Sequence, residues 1–383
     1  MENVRLALRG TPRPVLFCPV SAHVDRSVKE LKQSVLMDTS RKAPVPFQVE
    51  PATGGATIHW IVESLAPGQE REYVLRDGKQ ETPGPQARAQ QDDDATVSVR
   101  IGGSLFTRYL CGQDGSKPCL YPLIGPFGQG VTRAYPFEEV EDDSTDHIHH
   151  RSVFVAWGDV NGCDNWGEEA GHGRMVHRYF DAVESGPVFA RIVSLNDWVD
   201  ADGNRLLQDR LSYTFYNCPA SFRLFDVDVT LYASEGEVRF GDTKEGGILS
   251  FRVAAPMEAK RTGRIENSFG GVNENETWGK RASWCDYSGL VGGHTVGLAA
   301  FDHPSNPRYP TYWHVRNYGL MTANPFGLSQ FIGEGYDGSL VLTSGQNLCF
   351  RYRVLVHAGD AAQGGVGGKY LDWIYPPRAE VLD

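Results

Sequence analysis

Apolar and polar residues alternate with a period of two through much of the chain. Val97, Val99 and Ile101 share one face; Phe225, Val227, Val229 and Leu231 stand opposite Asp226, Asp228 and Thr230. Near the C-terminus Leu348, Phe350, Tyr352, Val354 and Val356 stand opposite Arg351 and Arg353. Successive side chains of an extended strand point to opposite faces, so this pattern predicts strands with one buried and one wet face, the habit of antiparallel sheets. Few windows of ten or more residues keep helical spacing, which argues against an alternating β/α fold, and no fixed-period repeat points to a propeller or solenoid. The prediction is an all-β protein: a large antiparallel β-sandwich over residues 96–383.

Ahead of it, short strand-like runs at Val15–Val20, Ser34–Met37, Phe47–Glu50, Thr57–Val62 and Arg71–Leu75 predict a small β-module over residues 1–76. Val28, Leu31, Val35 and Leu36 lie near helical spacing, so Asp25–Leu36 reads as either strand or short helix. Residues 77–95, DGKQETPGPQARAQQDDDA, contain no aromatic and no β-branched residue except Thr82, and read as a flexible linker.

Composition narrows the function. With 43 Gly, 22 Pro and 11% aromatic residues, strand and turn formers dominate. A net charge of −11 with dispersed Lys and Arg removes the electrostatic attraction that nucleic-acid binding depends on. The longest apolar runs, near Ser152–Trp157 and Val291–Phe301, fall short of the ~20 residues that span a bilayer. No export signal is visible at Met1–Gly10, so a soluble cytoplasmic protein without nucleic-acid or membrane partners is expected. The seven cysteines are scattered and form no C-x-x-C pair, as expected of buried thiols in a reducing compartment.

Histidine placement is the strongest chemical signal. Of eleven histidines, five (His147, His149, His150, His172, His177) fall in DHIHHRSVFVAWGDVNGCDNW and GHGRMVHRYF. Read as a strand, 146–157 places His147, His149 and Arg151 on one face and His150 on the other, with the two imidazoles about 7 Å apart. Such a pair suits acid–base catalysis, gripping of sugar hydroxyls, or, with a distant third ligand such as His314, a Zn or Mn ion held by His147 and His149. Nearby Arg133, Asp159, Asn161 and Trp166 supply the planar donors, acceptors and aromatic face that polyols require. The same residues also suit a tight turn. The calcium-loop likeness of GDVNGCDN is weak, because the terminal Glu is missing.

A second constellation, NENETWGKRASWCDYSG followed by FDHPSNPRYPTYWHVRNYGLMTANPFG, contributes Glu274, Glu276, Asp302, Trp313, His314, Arg316 and Asn324. Loops so rich in large polar and aromatic groups build binding surfaces more often than cores. Arg133, Arg151 and Arg316 together suit one carboxylate. There is no G-x-S-x-G elbow, P-loop, dinucleotide fingerprint or H-E-x-x-H helix.

YPLIGPFGQGVTR, DHIHHRSVFVAWGDVNGCDNW, WGKRASWCDYSG and HPSNPRYPTYWHVRNYGLMTANPFG resemble a bacterial family often labelled "methane oxygenase PmoA", over roughly Leu105 to Val356. The methane-oxidising subunit of that name is an integral membrane protein, whereas this chain has no spanning run, so the label is not taken as its activity. In architecture the chain is similar to the galactose mutarotase-like β-supersandwich, which houses aldose epimerases, sugar hydrolases and lyases. The resemblance implies an arginine after a P-L-x-G-P-type turn (Arg133), a histidine-bearing strand (His147, His149, His150) and a closing strand after Leu342–Gly345. It also implies a carboxylate base beside a histidine acid, with Glu276, Asp302 and Glu334 all open as that base. Members of the family accompany sugar oxidoreductases and predicted keto-sugar hydrolases, which implies carbohydrate catabolism.

Two functions follow as expectations. One is an enzyme that processes a sugar or oxidised (keto) sugar or glycoside, of epimerase, lyase or hydrolase type. Its catalytic residues would be His147, His149, His150, Glu276 and His314, with Arg133, Asp159, Asn161, Trp166, His172, His177, Trp313, Arg316 and Asn324 binding substrate. The other is a carbohydrate-binding or scaffold protein without turnover.

Overall fold

The computed structural model describes residues 3–79, 86–112 and 116–382. Two large antiparallel sheets form the body of the protein. One runs in the order Lys280–Arg281, Tyr312–Val315, Leu320–Asn324, Gly246–Arg252, Val153–Trp157, Cys119–Leu120, Ser104–Leu110, Thr96–Ile101 and Ala87–Gln91. The other runs Arg174–Glu184, Phe189–Val199, Arg205–Tyr216, Phe222–Tyr232, Asn347–Ala358, His294–Asp302, Trp284–Val291 and Arg264–Asn267. The expected all-β sandwich is the observed one.

Alternation explains how the sheets meet. Val227, Val229, Phe350, Tyr352 and Val354 turn inward and join Val97, Val99 and Trp157 from the first sheet in one core. Phe106 packs edge-on against Phe215 and Phe225 across the two layers, with ring centroids 5.9 and 5.8 Å apart. On the outer side of the second sheet, the helix Val366–Ile374 lays Val366, Tyr370 and Trp373 over Phe301 and Leu355.

The N-terminal module has its own core of Leu6, Leu8, Leu36, Ile58, Trp60 and Tyr73. Asp25–Leu36 resolves into both readings: a helical turn, Val28–Leu31, with a Ser27/Glu30 capping box, then the strand Ser34–Asp38.

Two boundaries differ from expectation. Residues 80–85 of the expected linker lie outside the described residues, but Ala87–Gln91 is a strand paired with Thr96–Ile101. It sits at the edge of its sheet with most side chains in water, so it needs no apolar alternation, and its polar sequence hid it. The C-terminal strand Arg378–Leu382 pairs with Val4–Arg9, so the end of the chain completes the module's sheet and not the sandwich. Module and sandwich are also bonded to each other. Gln48 Oε1 accepts from the Val188 and Phe189 amides, and Arg13 meets Asp372 at 3.1 Å.

Candidate active site

The outer face of the first sheet carries polar residues on strands whose inner faces are core. Trp313 and Val315 point inward while His314 points out; Met321 and Ala323 point inward while Thr322 and Asn324 point out; Phe251 points inward while Arg252 points out.

The histidine segment folds over this face as a turn, not a strand; the strand begins only at Val153. The His150 amide donates to the His147 carbonyl at 2.9 Å, and His147 has a left-handed φ of 44°. Arg133, 1% exposed, imposes this shape by donating to the carbonyls of Ser144, Asp146, His147 and His150 at 2.8–3.1 Å. The expected separation of His150 from His147 and His149 therefore fails, and all three rings converge. His147 stacks on His150 at 4.7 Å, and His149 meets His150 edge-on at 4.5 Å. Tyr318, at the tip of the hairpin after His314, stacks on His147 at 5.5 Å.

Two histidines are fixed in opposite tautomers. Arg252, fully buried, brings Nη1 to 3.2 Å from His150 Nδ1, and its other amino group binds Ser144 Oγ and Asp146 Oδ1 at 3.0 Å each. A guanidinium only donates, so His150 Nδ1 accepts and the ring proton resides on Nε2. His314 Nδ1 lies 2.8 Å from the Lys244 carbonyl, which only accepts, so Nδ1 carries the proton and Nε2 is bare. Both rings stay neutral. Burial, then His149 and Arg252, hold His150 well below the usual histidine range, and burial brings His314 down to about 4. Burial and Lys117 likewise lower His149 to about 4.

Glu245 follows Lys244, whose carbonyl holds His314 Nδ1. It sits on the turn before Gly246–Arg252, with Oε1 accepting from Lys244 Nζ at 2.6 Å. Burial pushes its carboxyl up, but the hydrogen bond and charge of Lys244 outweigh it and hold it below the usual carboxylate range. Asn324 braces that turn by donating to the carbonyls of Thr243, Lys244 and Gly246 at 3.0–3.2 Å. Trp166 and Trp278 flank the site, 5.3 Å from His150 and 6.4 Å from His314. Several buried atoms here, among them His149 Nδ1, His150 Nε2, His314 Nε2 and the two indole Nε1 groups, have no hydrogen-bond partner among the described residues. A buried polar atom left unpaired costs about 1–3 kcal/mol, a cost that a polar partner at this face would relieve.

A model of one protein family matches residues 96–370, which carry the candidate site and both sheets except the edge strand Ala87–Gln91, under the description "Family of unknown function (DUF6807)". The chain belongs to the DUF6807 family. No curated protein sequence matches it. Solved structures similar to it include a glycosyl hydrolase family 38 protein from Enterococcus faecalis, at 11% identity and TM-score 0.45, covering 100% of this chain and 47% of that one. Another is a heparan sulfate lyase HepC mutant from Pedobacter heparinus, at 10% identity and TM-score 0.36, covering 74% of this chain and 38% of that one. The chain thus spans about half the length of the first and less of the second.

Several expected site residues of this DUF6807 chain have structural work instead. Arg133 shapes the histidine turn, as described. Asp159 caps the Gly162 amide, and Asn161 bonds the Arg239 amide and the Glu237 carbonyl, so this turn is pinned to a neighbouring strand. Trp313 is core, with its indole on the Ala282 carbonyl at 2.9 Å. Glu276 is exposed and accepts from the Val272 amide at 2.9 Å. Asp302 is buried between Asn306 and the Thr311 amide, and Glu334 is exposed after a short helix. His177 lies on the other sheet, 3.2 Å from Asn196, beside a separate cavity of about 420 Å³. His172 reaches the site only through Glu169, whose oxygens lie 3.2 Å from His172 and 3.8 Å from His149.

The expected arginine trio is also engaged: Arg133 on carbonyls, Arg151 on Glu168, Arg316 on Glu274 at 2.6 Å. His147 Nδ1 is taken by Asp146 at 3.1 Å, and His314 Nδ1 by a carbonyl. Among the described residues no three His, Cys, Asp or Glu side chains are grouped to hold a metal, so the Zn or Mn reading lacks its third ligand.

Sequence reading missed Glu245, Tyr318 and Arg252. Only Arg252 left a trace, as a charge inside the apolar strand ILSFRV. None of the seven cysteines forms a disulfide, and no helix among the described residues is long and apolar enough to cross a membrane.

Proposed function

We propose that this protein is a carbohydrate-processing enzyme whose site is the outer face formed by His147, His149, His150, Glu245, His314 and Tyr318. The observation that carries the reading is the pair of buried, unpartnered ring nitrogens in opposite states: a donor at His150 Nε2 and an acceptor at His314 Nε2, with Glu245 next in the chain to the Lys244 carbonyl that holds His314. A sugar offers hydroxyls that both donate and accept, together with a C–H face that packs on aromatic rings, which Trp166, Trp278 and Tyr318 supply. Glu245 takes the part of base that sequence reading gave to Glu276. The resemblance to galactose mutarotase-like proteins supports a sugar or oxidised sugar as substrate, with epimerase, lyase or hydrolase chemistry. The test is NMR of aldoses and 3-keto-glycosides incubated with the protein. Conversion of at least one sugar is expected. Saturable binding of sugars with no chemical change would make it a binding protein instead.

A further inference from the structure

The arrangement behind His150 says what kind of oxygen it meets. A histidine that serves as a proton-donating acid needs a partner that stabilises its protonated ring, such as a carboxylate on the far nitrogen. His150 has the opposite: its far nitrogen accepts from Arg252, and a second guanidinium, Arg133, binds the His150 carbonyl at 3.1 Å. Both guanidiniums share Asp146 Oδ1 at 3.0 Å, and the Arg252 N–H aimed at His150 Nδ1 leaves that nitrogen no place for a proton of its own. They also favour negative charge arriving in front of the ring, at the unpartnered Nε2–H.

We infer that His150 is a neutral hydrogen-bond donor to an oxygen that becomes negatively charged, and that the substrate is therefore a carbonyl-bearing sugar, a ketose, aldose in open form or oxidised glycoside. This rests on the proposed reading of the face as a carbohydrate-processing site. In the step it implies, the Glu245 carboxylate removes a proton from the carbon next to the carbonyl. The C–H electron pair forms a carbon–carbon double bond, and the carbonyl π pair moves onto oxygen, where His150 Nε2–H holds it. Return of the proton to the other face or to the neighbouring carbon gives an isomer. When the oxygen pair re-forms the carbonyl, the double-bond pair shifts toward the β-carbon and expels its oxygen substituent, which leaves with its bonding pair and takes the proton from Glu245, giving the elimination product. No oxidant or reductant is needed.

The experiment has two arms. In the first, methyl 3-keto-glucoside is incubated in D₂O and exchange at the carbons flanking the carbonyl is followed by NMR, with the unoxidised methyl glucoside as control. Exchange is expected with the keto compound alone. His150→Ala should slow it about 10²–10³-fold, the usual loss of an oxyanion donor, whereas His150→Gln, whose amide places an N–H near the same position but cannot act as an acid, should retain much of the rate. In the second arm, which needs no turnover and no variant, ¹H–¹⁵N NMR of the native protein at pH 7 should show His150 protonated on Nε2 and bare on Nδ1. A protonated Nδ1 overturns the inference. Conversion of unoxidised sugars without exchange of the ketoside also overturns it, while leaving the proposed function standing. No conversion of any sugar overturns both.

Discussion

The Lys117 ammonium lies 2.7 Å from the Glu168 carboxylate, with both side chains under 10% exposed. Lys117 also donates to the carbonyls of His149 and Trp166 at 3.2 and 2.9 Å, and Arg151 grips the same carboxylate at 2.8–3.0 Å. One buried charge cluster therefore ties the histidine turn to the tryptophan wall of the site. Removing one partner strands the others in a low-dielectric setting. Glu168→Gln should cost about 3–5 kcal/mol in urea unfolding, the usual range for breaking a buried pair. A loss below about 1 kcal/mol, the level of an exposed salt bridge, would show that water reaches the cluster.

Neighbouring residues on one strand should behave in opposite ways. Trp313 fills the core and His314 faces the site, so Trp313→Ala should lower stability by about 3–5 kcal/mol, as large core truncations do. His314→Ala should instead abolish sugar conversion while changing the unfolding midpoint much less. Equal loss of stability in both variants would place His314 in the core as well.

The proposed base is separable from the one sequence reading favoured. Glu245→Gln should reduce kcat about 10²–10⁴-fold, the range for loss of a proton-transfer group, with the melting temperature little changed. Glu276→Gln, altering an exposed carboxylate on the Val272 amide, should leave kcat intact. The reverse ranking would move the site away from the Gly246–Arg252 turn.

Fold class was readable because period-two alternation is a property of consecutive residues, and Phe225–Leu231 or Leu348–Val356 display it without help from elsewhere. The site was readable only in part, for the same reason. Histidines clustered in sequence also cluster in space, whereas the ring of His314 meets Trp278 and Phe331. The shape of the 146–150 turn, however, is set by Arg133 and Arg252, which lie 14 and 105 positions from His147 and leave no local mark on it. Glu245 has no signature at all: it becomes a candidate because the strand beginning at Gly246 is laid between Leu320–Asn324 and Val153–Trp157 by long-range pairing. Trp313 and Asp159 misled because residue type suggests a ligand contact while strand parity and turn capping decide otherwise.

The C-terminal strand gives a further test of architecture. Arg378–Leu382 pairs residue for residue with Arg5–Arg9. Deleting residues 377–383 leaves Val4–Arg9 as an unpaired edge, so the module should become more susceptible to protease and more prone to associate, while the sandwich core keeps its near-ultraviolet circular dichroism. Unchanged proteolysis of the module would mean that this strand adds little to it.

The acid side of the pH profile should be set by buried histidines, not by one in water. His149 and His314 are held near 4 by burial, against an ordinary value of 6.5. Between those two values the unfolded chain binds protons at these positions and the folded chain does not. Acidification from about pH 6.5 to 4 therefore removes stability, and the effect is complete once pH falls through the folded value. Activity should follow the folded protein: His314 Nε2 stays bare and Glu245 ionised over the same interval, so kcat/KM should hold from pH 8 to about 5 and fall only toward 4. The measurement is kcat/KM against pH beside urea midpoints at each pH. An activity loss centred near 6.5, with the urea midpoint unchanged, would mean that a solvated histidine controls the reaction and that His314 is not the acceptor.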